Sequence, residues 1–447
     1  MRPGARIAAA IEILDDMTKH HRPVATALAD WGKTHRFAGS GDRSVIGHMV
    51  YDALRHKAAS EWFMGAETSR AIVIGGMREQ GAAASDIAAM CTGAEHTPAP
   101  LSEDELKRLA SPNTEPAPAW VTGNYPQWLH SSFKRAFGDR LSIEGQGLSK
   151  RAPADLRVNT LKSSREKVMK ALVSYGAIEL EMAPNAVRIP APTGDSRIPN
   201  LQAEAAYQAG WCEIQDEGSQ IAAALTGAGP RSQVLDLCAG GGGKTLAMAA
   251  VMQNTGQIYA YDDDRTRLKP IFLRIQRAGV RNVQVLRAGE KAALDELGPR
   301  FDIVLVDAPC TGTGTWRRRP DAKWRLKPAN LAERQKVQRE VLSLGVKFVK
   351  PGGRLVYVTC SVLPEENVDQ IAAFLAANPD FSILPYADAW RASLPGEPPA
   401  SADGSTDTLS LTPASHGTDG FFIAVLVRKA QRPSGIQDQA IDTVAGS

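Results

Sequence analysis

From Pro230 onward, short apolar runs alternate with segments of helical periodicity, and this alternation constrains the fold more than any other feature. The runs read SQVLDLC, GQIYAYD, VQVLRAG, FDIVLVDAP and RLVYVTC. Strands that are nearly continuous in apolar residues are buried on both faces, as in a parallel sheet with helices on either side. TLSLTP and GFFIAVLVRK follow, and we expect them to form an antiparallel edge hairpin of the same sheet. Residues 226–429 are therefore predicted to be an α/β domain with a mostly parallel sheet.

The chain before this domain has a different pattern. Residues 1–92 carry apolar positions at helical spacing, as in ARIAAAIEILDDMTKH, and predict an all-helical module. Residues 93–124 are rich in proline and predict a linker with one short helix. Residues 125–225 mix helical segments with strand-like runs such as LRVNTLK, which predicts a small α+β subdomain. We expect residues 430–447 to be a disordered tail.

Composition narrows the class of protein without naming a partner. A hydrophobic fraction of 43%, a charged fraction of 23% and a net charge of +3 are typical of a soluble globular protein. Five cysteines are scattered without a CxxC pair, which indicates free thiols in a reducing compartment, not a disulfide framework or a zinc site. The N-terminus has no apolar region typical of a signal peptide, and we find no membrane span. We expect a cytoplasmic monomer that binds no metal ion.

Residues 234–250, VLDLCAGGGGKTLAMAA, form a glycine-rich turn between a predicted strand and a predicted helix. Consecutive glycines let a ligand approach the backbone closely, and a helix N-terminus favours an anion. The spacing fits neither the Walker P-loop nor a clean GxGxxG fingerprint, and a tight turn alone would also account for the glycines. Asp262 follows the next strand, about twenty residues later, where an acid typically binds the hydroxyls of a ribose. Together, the loop and the acid predict a cofactor that contains a nucleoside.

Two cysteines follow strands at the edge of the sheet where a ligand is expected. Cys310 comes after FDIVLVDAP, and Cys360 ends RLVYVTC. If these strands are neighbours, their ends lie ~5 Å apart, and both thiols face one cleft beside Asp307. A lone cysteine is most often a small buried apolar residue, which is our interpretation of Cys91 and Cys212. Turn-forming residues flank Cys310 and Cys360, and this context indicates a functional role.

A thiolate, an acid and a nucleoside cofactor suit the methylation of carbon-5 of cytosine. A thiolate that adds to carbon-6 makes carbon-5 nucleophilic toward an electrophilic methyl group. A carboxyl such as Asp307 can assist by hydrogen bonding to N3 and the exocyclic amine of the base. A base then removes the carbon-5 proton and the thiol is eliminated, a step that a second thiol can assist. Chemistry alone does not say which cysteine is the nucleophile.

Several motifs resemble those of the RNA (cytosine-5) methyltransferase family, in its Sun/Fmu (RsmB) group. They are LDLCAGGGGKT, DAPCTGTGTWRRRPDAKW, KPGGRLVYVTCSVLPEENVDQIAAFL and TDGFF, and the match runs over most of residues 155–428. LRVNTLK and IQDEGSQ are similar to the RNA-binding and pre-loop segments of that family. GDRSVIGHMVYDALRHK faintly resembles its NusB-like helical extension. The resemblance implies a class I, Rossmann-like methyltransferase domain that uses S-adenosyl-L-methionine and acts on RNA, most plausibly ribosomal RNA, with transfer RNA as the alternative.

The resemblance also implies roles for individual residues. The cysteine of the TC motif, Cys360, is the nucleophile, the cysteine of the PC motif, Cys310, aids product release, and Asp307 lies beside the target base. The implied cofactor-binding residues are Cys238, Ala239, Gly240, Gly241, Gly242, Gly243, Lys244, Asp262, Glu290 and Asp307.

This chain departs from the family pattern at two places. Its loop reads CAGGGGK where the family has CAxPGGK, a change that should affect the rigidity of the loop more than its contacts. Glu290 stands near the place where the family has an aspartate beside the adenine.

A basic segment follows Cys310 directly. A run of this kind is most often a solvated face, but here it adjoins the predicted base pocket, so we predict contacts to RNA phosphates. Trp316 or Trp324 is predicted to stack on an unpaired base. Extruding a cytosine costs a few kcal/mol, which favours single-stranded or looped RNA. The predicted RNA-binding residues are Arg157, Lys162, Arg317, Arg318, Arg319, Lys323 and Arg325.

Three other functions stay open from the sequence. An amino-group methyltransferase would carry a D/N-P-P-Y/F motif, whereas Cys310 occupies its fourth position here. A non-catalytic RNA-binding or assembly factor is compatible with the altered loop, although both cysteines are present. An NAD-dependent oxidoreductase has the least support.

Overall fold

The structure is a computed structural model that describes residues 1–110, 115–194 and 199–430. Residues 1–92 are helical throughout, and we call them the helical module. The apolar positions of these helices meet in one core that includes Ile13, Ile46 and Val50. The helices are α1 (Pro3–His20), α2 (Val24–Thr34), α3 (Ser40–Arg55), α4 (Lys57–Met64), α5 (Ser69–Glu79) and α6 (Ala84–Met90).

The described part of residues 93–124 contains two short helices, where the sequence predicted one. Ser102 and Glu105 form a reciprocal capping box at the start of the first, because each side chain binds the backbone N–H of the other. Gly138, at a positive φ of 55°, separates the two helices that follow residue 125. The four helices are α7 (Glu103–Ala110), α8 (Ala119–Thr122), α9 (His130–Phe137) and α10 (Leu141–Ser149).

A small antiparallel sheet follows between residues 154 and 214, and we call this part of the chain the small subdomain. Its strand order is β2-β3-β1-β4, so the strand predicted in LRVNTLK lies inside the sheet. Ser164 caps the helix after this strand, with its hydroxyl accepting from the N–H of Lys167 at 3.3 Å. The elements are β1 (Ala154–Val158), α11 (Arg165–Ala171), β2 (Ile178–Glu179), β3 (Ala186–Ile189), α12 (Ala205–Gln208) and β4 (Cys212–Ile214).

The C-terminal domain is built on one large sheet, and the predicted parallel arrangement is confirmed. The strand order is β10-β12-β9-β8-β5-β6-β7, with β11 paired to β12. Strands β5 to β9 run parallel, while β12 is antiparallel to both of its neighbours. The strands are β5 (Gln233–Asp236), β6 (Gln257–Ala260), β7 (Val283–Val285), β8 (Phe301–Asp307), β9 (Val349–Thr359), β10 (Phe381–Leu384), β11 (Leu409–Leu411) and β12 (Phe421–Arg428).

The predicted antiparallel hairpin of β11 and β12 is present, but β12 is not the edge of the sheet. The short strand β10 pairs with it on the outer side, from Phe381 opposite Arg428 to Leu384 opposite Val425. The order of the strands reverses between β5 and β8, because β6 and β7 extend the sheet on one side and β9 on the other. Ligands of such sheets bind outside the carboxyl ends of the strands at this reversal.

Helices cover both faces of the large sheet. Successive residues of β5 show why, since Val234 and Leu235 belong to two different buried apolar clusters on opposite faces. The helices are α13 (Glu217–Ala224), α14 (Gly243–Val251), α15 (Arg265–Leu268), α16 (Ile271–Ala278), α17 (Lys291–Asp295), α18 (Pro320–Arg325), α19 (Pro328–Val346), α20 (Val368–Ala377), α21 (Tyr386–Ser393) and α22 (Pro413–His416). Short 3₁₀ helices occur at Gln127–Leu129, Gly138–Arg140, Val173–Tyr175, Leu201–Ala203, Thr313–Thr315 and Pro364–Glu366.

The helical module contacts the rest of the chain through the end of α3. The Arg55 guanidinium donates to the carbonyl oxygens of Lys150 at 2.9 Å and Arg317 at 2.6 Å. The Lys323 ammonium is fully buried and donates to the carbonyl of Arg55, and the Trp324 ring N–H donates to the carbonyl of Leu54. The prediction that Lys323 contacts RNA is therefore wrong, because its charge lies inside this junction. Burial, with the neighbouring charge of Arg55, holds the pKa of Lys323 well below its usual range.

Among the described residues, no helix is both long enough and apolar enough to cross a membrane. Within the same ranges, no group of three or more His, Cys, Asp or Glu side chains is arranged to hold a metal ion. The predicted disordered tail, residues 430–447, lies outside the described residues except for Ala430.

Candidate active site

The structure brings the two predicted cysteines together. Strands β8 and β9 are parallel neighbours in which Asp307 lies opposite Val358, so their ends reach the same edge of the sheet. The turns after these strands place the Cys310 and Cys360 sulfur atoms 3.3 Å apart. Both thiols are free, and both residues are partly exposed. Two cysteines that are fifty residues apart in the chain thus face one small volume.

Backbone contacts between three segments fix the two turns. The N–H of Gly314, in the turn after β8, donates to the carbonyl of Cys360 at 2.9 Å, and the N–H of Gly420 donates to the carbonyl of Gly314 at 2.8 Å. A Cβ atom at Gly314 would lie only 2.2 Å from the carbonyl oxygen of Gly420. Glycine is therefore required at Gly314 by the close approach of two backbones.

Glu366 and Gln338 hold the turn that carries Cys310, and neither was predicted from the sequence. Glu366 is fully buried, and its Oε1 atom accepts from the N–H of Thr311 at 2.8 Å and from the Gln338 amide at 2.9 Å. The same amide donates to the carbonyl of Pro309 at 3.1 Å. These bonds fix the backbone on both sides of Cys310. The only sequence signal for Glu366 was its position in the PEEN run after Cys360.

The Cys310 thiol favours its protonated form. The hydrogen bond to Cys360 raises the pKa of Cys310 well above its usual range, and burial and the nearby Glu366 carboxylate act in the same direction. Cys310 therefore keeps its proton and can donate it toward the sulfur of Cys360.

Lys244 and Asp307 form an ion pair beside the cysteines. Lys244 lies in the first turn of α14, and its ammonium donates to Oδ2 of Asp307 at 2.7 Å. The Lys244 side chain is 7% exposed and that of Asp307 is 34% exposed, so the carboxylate is the accessible member of the pair. Asp307 is thereby oriented at the reversal point of the sheet, where ligands of such sheets bind.

The glycine loop and Asp262 are joined directly. The N–H of Gly240 donates to Oδ2 of Asp262 at 3.0 Å, and Arg267 binds the other carboxylate oxygen at 3.0 Å. Gly240 and Gly242 have positive φ values of 49° and 79°, a conformation that favours glycine. A Cβ atom at Gly242 would lie 2.4 Å from the side chain of Ile271, so the loop also packs too closely for a larger residue.

Three other predicted cofactor-binding residues are Cys238, Ala239 and Glu290. Cys238 is partly buried, and burial raises the pKa of its thiol well above its usual range. Ala239 is bound through its N–H to the carbonyl of Tyr261 at 2.9 Å. Glu290 is half exposed and pairs with Arg287 at 3.3 Å, and its contact to an adenine stays a prediction.

Most of the predicted RNA-binding residues have protein partners instead. Arg317 is 4% exposed and its guanidinium pairs with Asp419 and Asp216, which Arg318 also binds. The prediction that Arg317 contacts a phosphate is wrong, because a buried, paired guanidinium cannot reach one. Arg318 is about one third exposed, so its contact to RNA stays a prediction.

Two further RNA-binding predictions are wrong for the same reason. Arg157 is 6% exposed and donates to Gln215 at 2.6 Å, and burial lowers its pKa to about 10. Trp316 is 1% exposed and stacks on Phe133, so it cannot stack on a base. Trp324 is half-buried, with its ring N–H bound inside the junction described above.

Three other predicted RNA-binding residues are exposed at the surface. Lys162 donates to the carbonyls of Arg277 and Ala209, at the contact between the small subdomain and α16. Arg319 is exposed, and Arg325 is exposed with a bond to Asp321 at 3.1 Å. Contact of these three residues with RNA stays a prediction.

The fold and the site define the class of the protein. The strand order, the glycine loop between β5 and α14, and the acids at the ends of the neighbouring strands are those of a class I methyltransferase domain. The sequence model of the family described as "16S rRNA methyltransferase RsmB/F" matches residues 225–427. A second model, "Methyltr_RsmF/B-like, ferredoxin-like domain", matches residues 125–194, which include most of the small subdomain. The chain belongs to the RsmB/F methyltransferase family, and the resemblance to the Sun/Fmu (RsmB) group is confirmed.

Curated relatives agree with this assignment. Ribosomal RNA small subunit methyltransferase B of Sodalis glossinidius (strain morsitans) is 33% identical over 309 residues, covering 69% of this chain and 66% of that protein. The probable ribosomal RNA small subunit methyltransferase B of Synechocystis sp. is 33% identical over 312 residues, with coverage of 68% and 66%. The matched part of the chain thus spans about two thirds of the length of these relatives.

Solved structures share the architecture. The crystal structure of PH0851 is similar with a TM-score of 0.70 at 27% identity, covering 95% of this chain and 99% of that chain. A methyltransferase homolog protein from Pyrococcus horikoshii has a TM-score of 0.56 at 28% identity, covering 69% and 97%.

The cofactor of this methyltransferase family is S-adenosylmethionine, and the residues of the site fit it. Gly240 and Gly242 offer a bare backbone, and Asp262 joins the loop where ribose hydroxyls are bound in such folds. When bound, the cofactor supplies an electrophilic methyl group.

Proposed function

We propose that the protein methylates carbon-5 of a cytosine in ribosomal RNA through a covalent adduct between Cys360 and carbon-6 of the base. The observation that carries this proposal is the 3.3 Å separation of the Cys310 and Cys360 sulfur atoms beside the Lys244–Asp307 pair. A nitrogen or oxygen target needs no thiol, whereas an unactivated carbon-5 needs one.

The two thiols act in sequence. Cys360, as the thiolate, forms a bond to carbon-6. The electron pair displaced onto carbon-5 takes up the methyl group as the bond between that group and the sulfur of its donor breaks, with the electrons of the broken bond staying on that sulfur. Cys310 then relays the proton of carbon-5 to solvent: its sulfur accepts that proton while its own S–H proton passes to water. The electrons of that C–H bond restore the ring, and the carbon-6–sulfur bond breaks with Cys360 leaving as the thiolate.

Asp307 orients the base. Lys244 binds Oδ2 of Asp307 at 2.7 Å and fixes the plane of the carboxylate. The other oxygen is then in position to accept a hydrogen bond from the exocyclic amine of cytosine. Uracil presents a carbonyl at that position and would be rejected, since two acceptors would face each other.

The relatives and the surface support the proposed substrate class. The curated relatives are named for ribosomal RNA of the small subunit, which favours ribosomal RNA over transfer RNA. A cleft of about 530 Å³ separates α3 from the small subdomain, with Tyr51, Arg151 and Arg318 in its walls. It is large enough for a nucleotide, and we propose that single-stranded RNA passes here and over Arg319. We further propose that the protein acts as a cytoplasmic monomer.

A labelling experiment tests the proposal. The protein is incubated with labelled S-adenosylmethionine and unmodified small-subunit ribosomal RNA, which is then digested to nucleosides. We expect 5-methylcytidine from the wild type, none from Cys360→Ala, and a covalent protein–RNA adduct that survives denaturing electrophoresis from Cys310→Ala.

Cys91→Ala is the matched control, because Cys91 is buried in the helical module, and it should keep full activity. Product found only as N4-methylcytidine, or full activity in Cys360→Ala, would reject the mechanism. Labelling of transfer RNA alone would reject ribosomal RNA and leave the chemistry standing.

A further inference from the structure

The glycine loop is held from outside by an arginine of α16. The Arg274 guanidinium donates to the carbonyl oxygen of Gly241 at 2.7 Å. Gly241 lies between Gly240 and Gly242, which have positive φ values, but its own φ is not in that region. A Cβ atom at Gly241 would lie 3.2 Å from the Arg274 Nη1 atom, so the guanidinium occupies the space that a side chain would need.

Four successive glycines form the most flexible backbone that a chain can have. A loop of this kind loses much conformational entropy when it closes around a ligand, unless another group restrains it beforehand. A proline in the loop would supply such a restraint covalently. In this chain the restraint comes from a hydrogen bond donated by a charged group, which is among the stronger kinds.

Arg274 is itself held by the small subdomain. Its guanidinium pairs with Glu213 of β4, with Nη2 to Oε2 at 3.0 Å. Glu213 is 1% exposed and also pairs with Arg277, so the carboxylate is bound between two arginines. The Arg274 side chain, which binds the loop, therefore connects the C-terminal domain with the small subdomain.

The end of α16 is fixed to the small subdomain as well. The Asn159 amide donates to the carbonyl of Ala278 at 2.8 Å, and the Lys162 ammonium donates to the carbonyl of Arg277 at 2.6 Å. At the other end of the helix, Ile271 packs against Gly242 of the loop. Helix α16 therefore connects the small subdomain to the loop along its whole length.

We propose that Arg274 is a positioning residue for the cofactor: by binding Gly241 and Glu213 at once, it holds the tetraglycine loop in its binding conformation and ties that conformation to the small subdomain. The inference deepens the proposed function, on which it rests, because it concerns the loop that binds S-adenosylmethionine. It also makes a proline at position 241 and an arginine at position 274 alternative restraints on the same backbone.

Calorimetric titration with S-adenosylmethionine, in the absence of RNA, tests the proposal. Arg274→Ala should weaken binding by about tenfold, the effect of losing one charge-assisted hydrogen bond that pre-orders the loop. Arg277→Ala is the matched control: it also removes a partner of Glu213, but it does not contact the loop, and binding should change by less than about twofold.

The double variant Gly241→Pro/Arg274→Ala separates positioning from a merely structural role. Removal of the guanidinium opens the space at position 241, and the proline restores rigidity, so the affinity should return to within about threefold of the wild type. Affinity that is unchanged in Arg274→Ala, equal losses in Arg274→Ala and Arg277→Ala, or no recovery in the double variant would overturn the proposal. If the wild type itself fails to bind S-adenosylmethionine, the proposed function fails first, and the two failures are distinguishable.

Discussion

Asp236 is a buried acid at the carboxyl end of β5, just before the glycine loop. It is 1% exposed, and Oδ2 accepts from the Thr245 hydroxyl at 2.6 Å. Burial raises the pKa of Asp236 to about 7, and the nearby Asp307 carboxylate adds to the shift. At neutral pH a large share of the protein thus carries this side chain as the uncharged acid.

The raised pKa of Asp236 predicts how stability depends on pH. The folded state keeps the Asp236 proton up to about pH 7, whereas the unfolded chain loses it near the ordinary value of 3.8. Stability from this group is therefore fully present below pH 3.8 and is lost as the pH rises to 7, by about 1.4 kcal/mol per pH unit. Asp236→Asn removes the ionisable carboxyl group. The free energy of unfolding of the variant, measured relative to that of the wild type, should therefore increase from pH 5 to pH 7.

Urea unfolding of both proteins at pH 5, 6 and 7 measures this difference. The double variant Asp236→Asn/Thr245→Val serves as a control for the loss of the hydroxyl bond. A constant offset between Asp236→Asn and the wild type across these pH values would show that Asp236 is ionised in the folded state.

At the level of residues, the sequence predicted which side chains lie close together at the edge of the sheet, but it did not predict which basic residues are buried. The two cysteines, Asp307 and Lys244 lie together because parallel strands end at one edge, a rule that needs only the strand assignment. The buried state of Arg317 could not be predicted, because its partners Asp216 and Asp419 are 101 and 102 residues away in the chain. A run of basic residues shows which charged side chains are present. Whether they contact water or pair with carboxylates depends on residues that are far away in the chain.

Among the elements, the paired charges Arg317, Arg318, Asp216 and Asp419 join three segments. Asp216 caps α13, Asp419 precedes β12, and the arginines follow the 3₁₀ turn after β8. Burial raises the pKa of Asp216 to about 6 even with both arginines present, so the group depends on its partners to stay charged.

The pair Arg317→Ala and Arg319→Ala separates folding from RNA binding. Arg317→Ala leaves buried carboxylates with less compensation and should lower the free energy of unfolding by about 3 kcal/mol. Arg319→Ala changes an exposed side chain, so stability should stay within about 0.5 kcal/mol while RNA affinity falls. Thermal unfolding and a filter-binding assay with small-subunit RNA measure the two effects. An equal loss of stability in both variants would contradict the different environments of the two arginines.

The sheet was predictable because parallel strands are continuous apolar runs, and β5 to β9 all coincide with such runs. The position of β12 was not, since an antiparallel strand can join either flank of a sheet and only its neighbours decide. β10 has the sequence FSIL, which is too short to distinguish from a loop. The pairing of β10 with the outer side of β12 was therefore not predicted.

For the molecule as a whole, the end of α3 is one of the places where the helical module meets the remaining chain. Arg55 binds two carbonyl groups there, and one of them belongs to Arg317, which also holds Asp419 near β12. The helical module, the helices after residue 125 and the C-terminal domain thus share one polar junction. We expect the wild type to unfold as one cooperative unit.

Arg55→Ala should uncouple the helical module. Without the guanidinium the carbonyls of Lys150 and Arg317 lose a buried donor, and scanning calorimetry should resolve a separate, earlier transition for residues 1–92. Arg43→Ala is the matched control on α3, because Arg43 binds only the carbonyl of Ala38 inside the module among the bonds described for it. A single transition in Arg55→Ala would mean that the other contacts of the junction, including the hydrogen bonds from Lys323 and Trp324, couple the parts without the guanidinium.

The bare contact between Gly314 and Gly420 bears on how this scaffold can be redesigned. A library that randomises the turns around the two cysteines in search of a new target base should return glycine at both positions. A Cβ atom at Gly314 would lie 2.2 Å from the carbonyl oxygen of Gly420, and one at Gly420 would lie 2.5 Å from the Cα atom of Gly314. Diversity belongs instead in the separate cleft beside α3, where Tyr51 and Arg151 lie in the walls.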